Sequence, residues 1–278
     1  MLRIGPSGNS KSFYDEGHEH TYEEAAWLAA KGLNAFEYSF GRGVSLSDKT
    51  AAKIKEEFGK YNIEISAHAP YYTNFANPLP EMIEKSVGYI RQSIEAVKRM
   101  GGNRVVFHPA SCGKATRQEA VARTKDNIIK MMSELEGDFL LAAETMGKMA
   151  QIGTAEEIID FCTVDERLIP CFDFGHINCY MLGGLKTKDD YKRIIDLTFE
   201  RLGERKAKNI HIHFSKIQYG SSGEIRHLTF ADDKFGPEYG PLAEIIDEYG
   251  MTPYIVCESD GTMAEDALFM KNCHKKVY

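Results

Sequence analysis

The chain has 278 residues, of which 43% are hydrophobic and 27% are charged, and its formal net charge is −7. This composition is that of an ordinary folded protein, and it excludes a disordered or collagen-like chain. The acidic balance argues against a broad basic surface for nucleic acid, although metal ions bound in a cleft would still attract a phosphate locally.

The start of the chain leads directly into a short strand and a glycine turn, with no apolar stretch long enough for a signal peptide or a membrane span. Six cysteines occur without a Cys-x-x-Cys pair, which favours buried free thiols. We therefore expect a cytoplasmic protein that does not contact a membrane, and no obligatory protein partner is evident.

Strand-like segments rich in Ile, Val, Phe and Leu recur along the chain, with helical stretches between them. In chain order, we predict strands over residues 3–5, 35–39, 63–68, 104–108, 139–144, 169–173, 209–213 and 254–258. Apolar residues at three- and four-residue spacing predict helices over residues 22–31, 79–100, 117–135 and 191–202. Thr21 with Glu24, and Thr154 with Glu157, have the spacing of N-terminal capping boxes.

This alternation implies parallel strands that are joined by helical crossovers. Eight strand and helix units in about 250 residues is the size of a (β/α)8 TIM barrel. We therefore predict an α/β fold with a single TIM-barrel domain over residues 1–278, and reactive groups at the C-terminal ends of its strands. A doubly wound open sheet is the alternative, but its ligands would gather in one crevice rather than around a ring.

Ionisable side chains occur at or near the ends of six predicted strands. They are His68, His108, Glu144, Asp173, His211 and Glu258. Because each is costly to bury in apolar surroundings without a partner, a shared cluster of divalent cations is the simplest explanation. His211 and His213 alternate along one strand and so face the same side, and the sequence leaves open which of them binds metal.

Three further candidates lie on predicted loops. His176 follows Asp173 closely, and Glu224 precedes His227 by three residues. Alone, the second pair would be a solvated loop, but it comes soon after His211. A lone histidine is more often a hydrogen-bonded core residue, whereas two at equivalent positions of consecutive strands, such as His68 and His108, favour metal binding.

This ordered series of motifs resembles endonuclease IV, the zinc-dependent family of apurinic/apyrimidinic endonucleases within the xylose isomerase-like TIM barrels. The resemblance spans most of the chain. It runs through His68-Ala69-Pro70-Tyr71, Phe107-His108-Pro109, Glu144-Thr145-Met146-Gly147, Asp173-Phe174-Gly175-His176, His211 with Ser215-Lys216, and Glu258.

The resemblance implies a hydrolase that cuts damaged double-stranded DNA on the 5′ side of an abasic site, with two or three Zn²⁺ per chain. Glu144 would be the catalytic carboxylate that bridges two metals. The other ligands would be His68 and His108 on the first metal, Asp173, His211 and Glu258 on the second, and His176, Glu224 and His227 on the third. Tyr71 and Arg42 would contact the DNA at the lesion.

Three features depart from the family pattern. The segment Glu224-Ile225-Arg226-His227 stands in place of an Asp-x-His pair, with a longer acid and one extra residue between the ligands. His213-Phe214 replaces the Asn-Asp that typically follows the seventh-strand histidine, and the opening Gly5-Pro6-Ser7 lacks the histidine common in that turn.

A sugar isomerase or epimerase of the xylose isomerase-like barrels is the alternative function. Such enzymes look similar in using a quartet around one Mn²⁺ or Mg²⁺, which Glu144, Asp173, His211 and Glu258 would satisfy. Several zinc ions, but not one harder ion, would explain the additional imidazoles, because nitrogen ligands favour zinc. These imidazoles are His68, His108, His176 and His227. A third class, a non-catalytic DNA-lesion or metal-binding protein, is disfavoured by the intact ligand set.

Overall fold

The computed structural model describes residues 2–274. Its centre is a sheet of eight strands that pair in parallel. These strands are β1 (Arg3–Pro6), β2 (Ala35–Ser39), β3 (Glu64–His68), β4 (Arg104–Phe107), β5 (Leu140–Glu144), β6 (Leu168–Asp173), β7 (His211–Phe214) and β8 (Tyr254–Cys257). Their order in the sheet is β1-β8-β7-β6-β5-β4-β3-β2, so neighbours in sequence are neighbours in space. The predicted TIM barrel is confirmed.

Strands β1 and β2 meet and complete the ring. Ser7 and Glu37 form a parallel bridge, and the Gly8 N–H donates to the Glu37 carbonyl at 2.9 Å. Gly5 permits this close approach, because a Cβ at that position would overlap the carbonyl oxygen of Ala35. The strands therefore form a barrel with an inside and an outside.

Ten α-helices lie in the described part of the chain. They are Lys11–Asp15, Glu24–Ala30, Asp48–Lys60, Pro80–Arg99, Arg117–Glu134, Ala155–Phe161, Phe174–Tyr180, Lys188–Lys208, Gly240–Glu248 and Met263–Asn272. The apolar face of each long helix packs on the barrel, which places most buried apolar side chains in one core. Between residues 2 and 274, no helix has both the length and the hydrophobicity needed to span a bilayer.

The two predicted capping boxes had different outcomes. At Thr154 the box is present, since Thr154 Oγ1 accepts from the Glu157 N–H at 3.3 Å and Glu157 Oε2 accepts from the Thr154 N–H at 2.9 Å. The box predicted at Thr21 is wrong by one residue. Glu23 accepts from the His20 N–H at 2.8 Å, because a 3-10 turn, Thr21–Glu23, precedes the helix.

Two segments predicted as loops are regular structure. His176 lies in helix Phe174–Tyr180, where Asp173 Oδ1 accepts from the His176 N–H at 2.8 Å and caps the helix. Residues Gly223–His227 form a strand that pairs antiparallel with Ile217–Gly220. This two-stranded unit, hereafter the ribbon, follows β7 and lies outside the barrel sheet. Its strands are too short to show a period in the sequence.

Candidate metal centre

The ionisable side chains converge on a cleft at the C-terminal ends of the barrel strands. His68, Glu144 and Asp173 are the last residues of β3, β5 and β6, and His108 and Glu258 directly follow β4 and β8. Parallel register sets all these ends at similar height, which brings side chains distant in sequence together. The cleft has a volume of about 820 Å³.

The first group consists of His68, His108 and Glu144. The Nε2 atoms of both histidines lie 3.0 Å from Glu144 Oε2. His68 Nδ1 lies 2.7 Å from the Ala69 carbonyl oxygen, which can only accept a hydrogen bond. The proton of a neutral His68 therefore sits on Nδ1, and Nε2 presents its lone pair to the cleft, as a metal ligand requires.

The central group consists of Glu144, Asp173, His213 and Glu258, whose ligand atoms lie within 4.8 Å of one another. His213 Nδ1 lies 3.0 Å from Glu144 Oε1 and 3.6 Å from Glu258 Oε1. Asp173 Oδ2 is buried and has no hydrogen-bond partner among the described residues. A buried carboxylate oxygen that has no hydrogen-bond partner but lies beside other possible metal ligands is typical of a cation-binding site.

His213, and not His211, is the seventh-strand histidine of this group. In the pairing of β6 with β7, Asp173 lies beside His213, and His211 lies beside Cys171, two residues deeper in the barrel. His211 stacks on Tyr254 with ring centroids 5.1 Å apart. The assignment of His211 that the resemblance implies is therefore replaced by His213. The usable signal was that His213, not His211, ended the predicted strand.

The ribbon group consists of His176, Glu224 and His227. His176 Nε2 lies 3.5 Å from Glu224 Oε2, and the two imidazole rings are 5.7 Å apart. The Thr145 carbonyl lies 3.0 Å from His176 Nδ1, and the Ser215 hydroxyl lies 2.9 Å from His227 Nδ1. Both rings therefore have an Nε2 available for a cation.

A β-bulge explains how Glu224 and His227 lie in one ligand group although they are three residues apart. Two residues three apart in a regular strand point to opposite faces. Here the register shifts, so that Gln218 pairs with Arg226 and Tyr219 with Glu224, and Ile225 has no partner. Bulged Ile225 is 57% exposed, and it absorbs the extra residue. The departure from the Asp-x-His pattern is thus compensated in the backbone.

Close packing joins the ribbon group to the barrel. Gly147 follows β5, and a Cβ there would lie 2.8 Å from His176 Cδ2 and 2.9 Å from Glu224 Cβ. The ribbon also pairs with this segment, since the Glu224 N–H donates to the Gly147 carbonyl at 3.0 Å. Glycine at residue 147 is therefore needed for the ribbon to reach His176.

The three groups are electrostatically coupled. Burial alone would raise the pKa of Glu144, but the imidazoles of His213 and His108 outweigh burial and hold that pKa well below its ordinary value. Burial would lower the pKa of His176, but the carboxylates of Asp173 and others outweigh it and raise that pKa to about 9. The four carboxylates of the three groups carry a concentrated negative charge that divalent cations would neutralise.

The two residues expected to contact DNA lie on the same rim. Tyr71 is half exposed; its ring stacks on His108 with centroids 5.3 Å apart, and its hydroxyl lies 3.0 Å from Ser39 Oγ. Arg42 is exposed on the turn after β2. In the same turn, the Gly41 carbonyl accepts a hydrogen bond from the Tyr71 N–H at 3.3 Å. Tyr71 lines the cleft, whereas Arg42 does not.

Sequence reasoning did not identify three residues near the site. Lys148 and Arg226 line the cleft and place positive charge beside the carboxylates of an otherwise acidic protein. Glu37, on β2, is completely buried and faces His213. Arg226 could have been predicted, because it lies between the candidate ligands Glu224 and His227 in the sequence. No sequence pattern marked Lys148 or Glu37.

The sequence and the fold both have recognisable relatives. A family model described as xylose isomerase-like TIM barrel matches residues 25–273. An uncharacterized protein of Methanocaldococcus jannaschii is 30% identical over 280 aligned residues, which cover 100% of this chain and 98% of that protein. A protein of Shouchella clausii named probable endonuclease 4 is 30% identical over 232 residues, which cover 79% of this chain and 78% of the relative.

Solved structures share the barrel. Endonuclease IV from Thermus thermophilus matches with a TM-score of 0.65 and 19% identity, over 90% of this chain and 91% of that one. A D-tagatose 3-epimerase-like protein matches with a TM-score of 0.68 and 19% identity, over 98% and 95%. At such identities the two likenesses show the fold alone. As the ordered motifs predicted, the chain belongs to the xylose isomerase-like TIM-barrel family, and its relatives there include proteins named probable endonuclease 4.

Proposed function

We propose that this protein is a zinc-dependent endonuclease that hydrolyses the phosphodiester on the 5′ side of an abasic site in double-stranded DNA. The observation that carries the proposal is that the first group and the ribbon group both adjoin the central group: Glu144 belongs to the first and the central group, and His176 Nδ1 lies 3.4 Å from Asp173 Oδ2. A one-metal enzyme needs only the central group. Five further imidazole and carboxylate side chains would be unexplained, whereas two or three Zn²⁺ would use them.

Glu144 is the proposed catalytic carboxylate. Its Oε2 faces His68 and His108, and its Oε1 faces His213, so one side chain serves both the first group and the central group. A carboxylate shared between two groups in this way would hold two cations, and paired cations would stabilise the charge that develops on the oxygens of a phosphodiester during hydrolysis. The proposed ligands are therefore His68, His108 and Glu144, then Asp173, His213 and Glu258, and then His176, Glu224 and His227.

When bound, the divalent ions supply a water of lowered pKa and positive charge for the phosphate. The chain's own residues supply the rest. Lys148 and Arg226 at the cleft would hold a DNA phosphate by charge, and Tyr71 would pack against the exposed sugar at the lesion. An abasic nucleotide has already lost its stacking and pairing, so its extrusion into the cleft is inexpensive.

A second candidate function is supported by the central group itself. Glu144, Asp173, His213 and Glu258 form a complete oxygen-rich set, which suits one Mn²⁺ or Mg²⁺. With that metal, Glu144 and Glu258 would move protons at the carbon beside a sugar carbonyl, as in an isomerase or epimerase. His68, His108 and the ribbon group would then have no role.

Metal analysis and a cleavage assay on the same preparation test the proposal. We expect two or three zinc per chain and a single nick beside the lesion in a duplex that carries one abasic site. The undamaged duplex and the Glu144→Gln variant, purified identically, are the controls, and neither should yield a nick. One manganese per chain, no nicking and interconversion of ketose sugars would overturn the endonuclease in favour of the epimerase.

A further inference from the structure

A second polar layer lies inside the barrel beneath the central group. It contains Glu37 and Ser66, from β2 and β3, and His211 from β7, and all three are completely buried. The interior of a TIM barrel is normally filled by branched apolar side chains, and charged groups are unusual there. Neither the cleft nor the three proposed ligand groups include Glu37, so its burial needs another explanation.

Glu37 reaches across the barrel to the far side of the His213 ring. Its Oε1 lies 2.9 Å from His213 Nε2, and neither atom has a hydrogen-bond partner among the described residues, so each is the nearest polar group available to the other. His213 Nδ1 faces Glu144 and Glu258. Its Oε2 accepts from the Ser66 hydroxyl at 2.8 Å and lies 3.3 Å from His211 Nε2. Glu37 is thus held from one side by Ser66 and faces two imidazoles on the other.

This arrangement selects which nitrogen of His213 can bind a cation. A neutral imidazole carries one proton, and an ionised carboxylate can only accept one. His213 Nδ1 also faces a carboxylate oxygen, Glu144 Oε1 at 3.0 Å. A cation in the central group would take that carboxylate, and Glu37 would then keep the proton on Nε2 and leave the Nδ1 lone pair for the cation. Nδ1 is the atom directed at the central group. Carboxylate partners of metal-binding histidines act in this way in other sites.

We propose that Glu37 is a positioning residue for the metal centre: it holds His213 with its proton on Nε2 and its Nδ1 lone pair toward Glu144, Asp173 and Glu258. Ser66 orients the Glu37 carboxylate. The inference rests on the metal centre of the proposed function but does not depend on DNA as the substrate. It concerns a residue that only the folded chain brings near the site.

Zinc affinity of the full chain, measured by competition with a chromogenic chelator, tests the proposal. Glu37→Leu should weaken zinc binding at one site about 10- to 100-fold. Glu37→Gln keeps a carbonyl acceptor without the charge, so the loss should be smaller. Ser66→Ala removes only the group that orients Glu37, and it should have the smallest effect of the three.

Glu24 provides a matched control. It is an equally buried carboxylate on helix Glu24–Ala30, and its oxygens have no hydrogen-bond partner among the described residues. Glu24→Gln should leave zinc affinity unchanged. Circular dichroism of each variant shows whether it folds. If Glu37→Leu fails to fold, the zinc affinities of the other proteins still test the proposal, and they should decrease from wild type to Ser66→Ala to Glu37→Gln.

NMR of the protein with nitrogen-15-labelled histidine reports which ring nitrogen of His213 binds zinc. A purely structural role of Glu37 would leave this unchanged. In the zinc-loaded wild type, His213 should be bound through Nδ1 and show a downfield Nε2–H proton, which Glu37→Leu shifts upfield. Unchanged zinc affinity in a folded Glu37→Leu, or zinc on Nε2, would overturn the proposal. A wild type that binds zinc but does not nick DNA would overturn the endonuclease alone, whereas one that binds no zinc would overturn both.

Discussion

The first group and the ribbon group both contain two imidazoles and a carboxylate, but different structures hold them. His68, His108 and Glu144 come from or directly follow three adjacent barrel strands, so parallel pairing sets their positions. His176, Glu224 and His227 come from a helix and a surface ribbon, whose approach depends on a bulge and on a glycine. Rigid sheet geometry supports the first group, whereas the ribbon group depends on a short helix packing against a surface ribbon, so we expect the ribbon group to lose a bound metal first.

The largest expected effect comes from the residue shared between groups. Glu144→Gln keeps the shape of the side chain but removes the charge that both the first group and the central group use. We expect nicking to fall by about 10³-fold or more, or about 4 kcal/mol, together with lower zinc content. Cleavage rates and elemental analysis measure this. Exposed Glu56→Gln is the control, and full activity in Glu144→Gln would reject the bridging role.

A change in the ribbon group should be smaller and more local. His227→Ala removes one ligand of three, so we expect one zinc per chain to be lost or bound about 10- to 100-fold more weakly, with the other ions retained. Native mass spectrometry counts the bound ions. The matching change in the first group, His68→Ala, should disturb more than one ion. Because Glu144 joins the first group to the central group, equal losses from both variants would contradict the sharing of Glu144.

Metal binding by the ribbon group should depend on pH. Since the pKa of His176 is raised to about 9 without a cation, this imidazole is protonated at pH 7 and must lose its proton to bind metal. Zinc affinity should therefore rise by about tenfold for each pH unit up to about pH 9 and then level off. Proton release on adding zinc in weak buffer checks this. A His176→Gln variant should release fewer protons.

The smallest expected effect comes from deleting the bulged residue. Without Ile225, Glu224 and His227 are two apart in a regular strand, and residues at that spacing share a face. The deletion should therefore keep the zinc content and activity close to wild type. Inserting an alanine after Ile225 is the contrasting change: it puts Glu224 and His227 four residues apart, about 13 Å along a strand, too far for both to bind one ion, so the zinc of the ribbon group should be lost. Loss of that zinc on deletion would show that the bulge does more than compensate for spacing.

Strand positions were predictable because each barrel strand is a short apolar run bounded by turns. All eight strands agree with the predicted bounds to within two residues. Helix Phe174–Tyr180 and the ribbon were missed, since a seven-residue helix and strands of four and five residues contain too few positions to show a period. The Thr21 box was misplaced because a 3-10 turn precedes its helix.

The barrel and the strand-end positions of the proposed ligands follow from the sequence alone, because strand ends in a parallel barrel share one face. These proposed ligands are His68, His108, Glu144, Asp173 and Glu258. Only the tertiary structure decided between His211 and His213, because that choice depends on the pairing of β6 with β7. It also decided the meeting of Glu37 with His213, because the two lie on strands far apart in sequence and across the barrel from each other. Such choices depend on register and depth, which local sequence patterns do not encode.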